Sequence, residues 1–166
     1  MTERTPVTMN ANELLDLFKK HIRMTSHDLD ADLREKLMAA VQAAEHHIGK
    51  VILRSEFVLS LPSVRIVRLK VPLVSVVGLE VDGAEVTDYT LDGSVLVPGP
   101  SVTGSAMKVT YVAGYDHIPY DVKAAVFMHA ATLFNNPTDS VETLAKASRN
   151  LLRPYRSWGL DDGEQD

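Results

Sequence analysis

The sequence predicts an α+β fold, with an N-terminal helix pair, a small antiparallel β segment and C-terminal helices. Three observations predict it. Apolar residues recur at helical spacing over residues 10–50, alternate with a period of two over 51–112, and return to helical spacing over 119–152. The chain has 166 residues and a mass of 18.3 kDa, which fits one domain, or one domain with a small appendage. Apolar residues make up 45% and charged residues 23%, ordinary globular usage that excludes a disordered or collagen-like chain.

The first helix opens with Asn10 three positions before Glu13, a variant of the capping box. Leu14, Leu17, Phe18 and Ile22 follow at helical spacing, and Lys19, Lys20 and His21 fall late, where cations suit the helix dipole. The second helix carries Leu29, Leu33, Leu37, Val41, Ala44 and Ile48 as one stripe. Asp28, Asp30 and Asp32 crowd its start, His46 and His47 its last turn, and Gly49 is placed to end it in the left-handed conformation.

In the β segment Phe57, Leu59 and Leu61 alternate, as do Val67, Leu69 and Val71 against Arg68 and Lys70. Asp82-Gly83 and Asp92-Gly93 lie between apolar runs and read as hairpin turns. Residues Val95 to Val97, then Met107, Val109 and Tyr111, supply further short strands, which suggests one small antiparallel sheet. Pro119 suits the first position of a third helix, whose buried side is Val122, Val126, His129 and Leu133. Asn135-Asn136-Pro137 ends it. Asp139 with Glu142 reads as another capping box, before Val141, Leu144, Ala145, Ser148, Leu151 and Leu152 lead to Pro154. Residues 158–166 read as an acidic C-terminal tail, leaving 1–157 as a single domain.

Chemistry is sparse. Cysteine is absent, which removes disulfides, thiolate metal sites and thiol nucleophiles together. Asp28-Leu-Asp30-Ala-Asp32 imitates a calcium loop, but Leu33 stands where glycine is needed and Ala39 where a bidentate glutamate is needed. His46 and His47 are adjacent and diverge by about 100° on a helix, so they do not chelate as a pair spaced by four would. His129 interrupts an apolar stripe; a core or interface histidine is the ordinary reading, and a catalytic base beside a carboxylate the sharper one. Neither a phosphate-binding glycine loop nor a nucleophile elbow is present. The sequence therefore predicts no catalytic residue, no metal and no cofactor.

Net charge is −5 and the isoelectric point near 5.6, without the basic excess typical of non-specific nucleic-acid binders. Arg65, Arg68 and Lys70 read as a solvated strand face, or as a contact for DNA or an acidic partner. The apolar stretch from Val71 to Val81 is too short and too interrupted to span a bilayer, and the N-terminus lacks the apolar core of an export signal.

Two segments stand out. Tyr111-Val-Ala-Gly114-Tyr115, followed by Ile118-Pro119, reads as a tight joint from strand to helix. Leu151, Leu152, Arg153, Tyr155, Arg156 and Trp158 read either as packing on their own domain or as a docking peptide, since Tyr, Trp and Arg concentrate at the energetic centres of interfaces.

Taken in order, these segments resemble the tailed-phage head–tail connector (adaptor) proteins of the gp6-like family. The resemblance rests on Asp28-Leu-Asp30, Ala43-Ala44-Glu45-His46-His47-Ile48-Gly49-Lys50, Pro72-Leu73-Val74-Ser75-Val76-Val77, Tyr111 to Tyr115, Ile118-Pro119 and Leu151 to Arg156, and covers roughly residues 10–157. The chain departs in having Asn135-Asn136-Pro137 where relatives often carry arginine, and in a longer β segment. The resemblance implies a gp6-like connector fold and a structural subunit of the virion neck. It implies a self-assembled ring, commonly of twelve, below the portal protein, formed from subunits made in the host cytoplasm. Such a ring extends the DNA channel, passes DNA without sequence specificity, and docks the next neck or tail-completion protein, without a membrane. The docking residues above would be the portal or subunit contact. The alternatives are a DNA-packaging accessory that binds DNA through Arg65, Arg68 and Lys70, and a small enzyme built on His129.

Overall fold

The computed structural model describes residues 1–6, 8–136 and 144–157. The chain divides into two units, Met1–Val7 with Leu53–Asp116, and Thr8–Ile52 with His117–Asp166.

The first unit holds eight strands: β1 (Thr2–Pro6), β2 (Ser55–Leu61), β3 (Val67–Arg68), β4 (Leu73–Val81), β5 (Ala84–Glu85), β6 (Tyr89–Asp92), β7 (Val95–Pro98) and β8 (Met107–Ala113). They form two antiparallel sheets rather than the single one expected: β1-β2-β8-β4-β5, and β3-β7-β6. β8 is central because its alternation is the cleanest in the chain. Met107, Val109, Tyr111 and Ala113 are buried on one face, and Lys108 on the other pairs with its cross-strand neighbour Glu80 at 3.1 Å. Phe57 lies opposite Tyr111 and stacks on it, with ring centroids 5.3 Å apart.

β1 was not foreseen. Its five residues carry no apolar alternation, because an edge strand need not bury a face. It is pinned instead by Arg4, whose guanidinium donates to Ser55 Oγ (3.1 Å) and lies 5.6 Å over the Phe57 ring. The alternation of Val67, Leu69 and Val71 yields only a two-residue strand, although buried Leu69 still donates its N–H to the Ser94 carbonyl.

Asp82-Gly83 forms the expected two-residue hairpin between β4 and β5, with φ of 50° and 83° at the two positions, as a type I′ turn requires. The second hairpin sits one residue later than read: Asp92 pairs with Val95, so the turn is Gly93-Ser94, with positive φ only at Gly93.

The second unit holds α1 (Thr8–His21), α2 (Asp30–Ile48), α3 (Tyr120–Asn135) and α4 (Lys146–Leu152), the last continued by a 3₁₀ turn over Arg153–Tyr155. α1 starts two residues ahead of Asn10, whose side chain lies outside the described residues, as do Asp139, Glu142 and residues 158–166. The predicted stripe of α2 is buried from Leu33 to Ile48, joined by Ala40. Leu29 is the exception, exposed at the N-cap, because a residue outside the first turn is not carried round onto the helix face. Gly49 ends α2 at φ 67°, as expected.

α3 buries Val122, Val126, His129 and Leu133 as predicted, with Ala125, Phe127 and Ala130 added. Pro119 is the N-cap rather than the first helical residue. α2 packs on α3 and α3 on α4, where fully buried alanines (Ala40, Ala44, Ala125, Ala130) let the backbones approach. Phe18 of α1 meets Phe127 at 5.5 Å. No helix among the described residues is long and apolar enough to cross a membrane.

Candidate functional site

The C-terminal segment is built from a short helix whose two faces differ sharply. Leu144, Ser148 and Leu152 are buried, while Lys146, Arg149 and Arg153 are exposed along the opposite side. Pro154 cannot donate to a continuing helix, so the chain tightens into the 3₁₀ turn and leaves it extended at Arg156. Ser157 then donates both its backbone N–H and its hydroxyl to the Ile48 carbonyl, each at 3.0 Å. That carbonyl is one of the acceptors an α-helix leaves without an internal partner at its C-terminus. The end of the described chain is thereby tied to the end of α2.

Of the six residues expected to dock, Leu152 is fully buried within its own unit, so its side chain presents no surface to a neighbour. Leu151 and Tyr155 are half-buried, Arg153 and Arg156 are exposed, and Trp158 lies outside the described residues. His47, in the last turn of α2, has its basicity pushed down by burial and then by the positive charge of Arg156 and Arg149. Three cationic or potentially cationic groups from two segments therefore share one neighbourhood.

Lys146 and Arg149 escaped the sequence reading. Their signal was available: together with Arg153 they recur at i, i+3 and i+7, which places them on one helical face.

Arg65, Arg68 and Lys70 are exposed, but they do not share a strand face: Arg65 precedes β3, Arg68 lies in it, and Lys70 follows it. Arg65 and Arg68 flank exposed Ile66 and half-buried Val67.

His129, the candidate base of the enzyme reading, is 1% exposed on the inner side of α3. The three aspartates at the start of α2 are engaged separately. Asp28 accepts from the Ser26 hydroxyl at 2.7 Å, Asp30 from Lys19 at 2.5 Å, and Asp32 lies 4.0 Å from Lys36. Lys19 is itself buried in α1, and its ammonium also meets His27 at 3.0 Å. The side-chain hydrogen bonds from Lys19 and His27 hold the Asp30 carboxyl below its ordinary range. Lys19 falls in the last turn of α1, as the sequence reading placed it, and its side chain pairs with Asp30, eleven residues on. Among the described residues no three histidine or acidic side chains gather as a metal would need.

The described helices and antiparallel sheets define an α+β chain. In fold the chain is similar over 98% of its length to a chain in the neck of an empty GTA particle computed with C6 symmetry, with a TM-score of 0.77 and 19% identity, 98% of that chain being covered. It is equally similar to a chain in the neck of a native GTA particle computed with C12 symmetry (TM-score 0.77, 21% identity, 98% of each chain). A chain in the virion of a native gene transfer agent (GTA) particle matches with a TM-score of 0.73 and 23% identity, over 96% of this chain and 98% of that one. No protein-family model matches the chain, and no curated protein matches it in sequence.

Proposed function

We propose that this chain is a structural subunit of the neck of a phage, prophage or phage-like particle, one copy of a ring at the single vertex through which DNA passes. The observation that carries the reading is the two-way coverage of the fold match: 98% of this chain against 98% of chains in particle necks, so that the likeness extends to the whole subunit and not to a common motif. The order of motifs shared with gp6-like connectors supports the same reading and refines it to the head–tail connector below the portal.

In this reading the ring extends the DNA channel and docks the next neck or tail-completion protein. The virion neck is its final location and the host cytoplasm its place of assembly. Arg153 and Arg156 fix the register of docking, while Leu151, Tyr155 and Trp158 supply apolar and aromatic contact. Leu152 serves the fold. An overall acidic balance keeps phosphates from sticking to the channel, since like charge lowers their local concentration.

The test is imaging of purified particles carrying a labelled subunit. Label confined to the neck is the expected result, and label spread over the capsid shell or missing from particles overturns it. The alternative, a DNA-packaging accessory, is favoured by the exposure of Arg65, Arg68 and Lys70 within six residues. It predicts DNA binding by the isolated protein that falls steeply as salt rises.

A further inference from the structure

Strand register gives the five-stranded sheet an outer face of definite character. Residues directly opposite one another share a face, and buried Phe57, Val109 and Tyr111 mark the inner side. The middle of the outer side is aliphatic: Val58 lies opposite Thr110, Val112 lies opposite Glu56, and both valines are half-buried. The bulge in β4 between Val76 and Gly78 leaves Val77 60% exposed beside them. The margins are acidic. On one, Glu3 lies opposite Val58 with Glu56 as its diagonal neighbour; on the other, Glu85 lies directly opposite Glu80. Like charges so placed on one sheet face are destabilising. Lys108 answers Glu80 at 3.1 Å, while Glu3, Glu56 and Glu85 form no ion pair among the described residues.

The helical unit carries the complement. Lys146, Arg149 and Arg153 are exposed on the side of α4 opposite buried Ser148 and Leu152, and residues 144–157 contain no acid. These three cations also form no ion pair among the described residues. We propose that the outer face of the β1-β2-β8-β4-β5 sheet is a docking surface whose occupant is the basic side of α4 from a second copy of this chain.

Spacing agrees on the two sides. Neighbouring strands stand about 4.8 Å apart, so β4 and β2, separated by β8, are about 10 Å apart. Lys146 and Arg153 are seven residues apart, about 10 Å along a helix axis. A helix laid across the strands brings Lys146 over Glu80 and Glu85, and Arg149 with Arg153 over Glu56 and Glu3. The alkyl stems of these side chains cover Val58, Val77 and Val112 while their charged heads reach the carboxylates. The same acidic margins repel phosphates, so the face fits a basic polypeptide and not nucleic acid. Because face and occupant are different surfaces, the contact is head-to-tail, the type that closes a ring when repeated by rotation. The inference rests on the neck-ring reading and adds to it the two surfaces that join neighbours.

The absence of cysteine makes the test direct, since any thiol introduced is the only one. Two full-length variants, Ser60→Cys on the outer sheet face and Asn150→Cys on the exposed side of α4, are mixed under oxidised glutathione. The expected result is an interchain disulfide forming about tenfold faster than when Thr90→Cys, an exposed site in the other sheet, replaces Ser60→Cys. Raising salt from about 0.05 to 0.5 M removes the excess. So does E3K with E56K in the first variant, or R149E with R153E in the second, and combining the two exchanged copies restores it. Four results overturn the inference: no excess over the control, an excess indifferent to salt, no recovery in the exchanged pair, or an intrachain disulfide that outcompetes the interchain one in a chain carrying both cysteines. Circular dichroism of each variant confirms that the fold is kept. Imaging of particles decides the ring reading separately, so failure of the docking surface does not carry the ring with it.

Discussion

In the strand unit the decisive contacts are between backbones; in the helical unit they are between side chains. β8 is paired along both edges, and where it ends Gly114 turns at φ 124° and donates its N–H to the Pro72 carbonyl at 2.8 Å. A Cβ on Gly114 would stand 2.6 Å from Arg54 Cα and 2.7 Å from Arg54 N, both backbone atoms with no rotamer to yield. The helical unit depends on side-chain packing instead. There α2, α3 and α4 are held by interlocking Leu33, Leu37, Val126, Leu133 and Leu152, which tolerate change in proportion to volume. The lesson is that fragility in this chain follows close backbone approach in one unit and lost volume in the other.

That contrast breaks most visibly at Gly114. Gly114→Ala combines strain at positive φ with a backbone clash and is expected to cost about 3–5 kcal/mol, measured by urea unfolding. Recovery of near-native stability would show that the joint is not the rigid point of the strand unit. Leu37→Ala, at a site 1% exposed, is expected to cost about 3 kcal/mol through lost transfer energy and a cavity, with a smaller loss for Leu37→Met. A glycine that has no close neighbour isolates the conformational part. Gly83→Ala meets nothing within 4 Å and keeps φ at 83°, so it should cost only about 1–2 kcal/mol. A Gly83 penalty equal to that of Gly114 would put the whole effect in the dihedral.

The smallest expected effect is electrostatic and has one representative in each unit. Asp82 in the strand unit accepts from the Ser105 hydroxyl at 2.8 Å and from the Ala106 N–H at 2.9 Å; its carboxyl is held below the ordinary value first by the Ser105 side chain, then by the Ser105 backbone N–H. Asp30 in the helical unit is lowered by Lys19 and then His27. A folded pKa below the unfolded one gives stability that is fully present above the ordinary carboxylate value of 3.8 and is withdrawn as pH falls through the lower folded values. Thermal midpoints should therefore drop on acidification below about pH 4, and Asp82→Asn and Asp30→Asn should each flatten part of that drop. An unchanged acid limb in Asp82→Asn would show that the Ser105 bonds are not retained in solution.

Much of the helical unit was legible before any coordinates. α2 and α3 depend on residues three and four apart, and the period of their apolar positions states that directly. The Asp82-Gly83 turn was legible for the same reason, since its chemistry sits in two adjacent residues. The candidate docking segment was only half legible. Its arginines and aromatics stood out by type, but Leu152 was indistinguishable from Leu151 until packing turned one inward. Lys146 and Arg149 were passed over because they looked like ordinary surface charge.

What residue order determined alone was therefore local: the α+β class, the helical, strand-rich, helical order from residue 10 onward, the apolar stripes, the Asp82-Gly83 turn and the separation of charge at the C-terminal end. Tertiary structure decided the rest. It paired Arg4 with Ser55 across 51 residues, split the strands into two sheets, buried Lys19 against Asp30, and fastened Ser157 to the end of α2. The physical reason is one of range. Helix period and turn chemistry act through neighbours a few residues away and leave a mark in composition, whereas strand partners, buried charges and the facing of a terminal helix are chosen by chain closure over long separations and leave none.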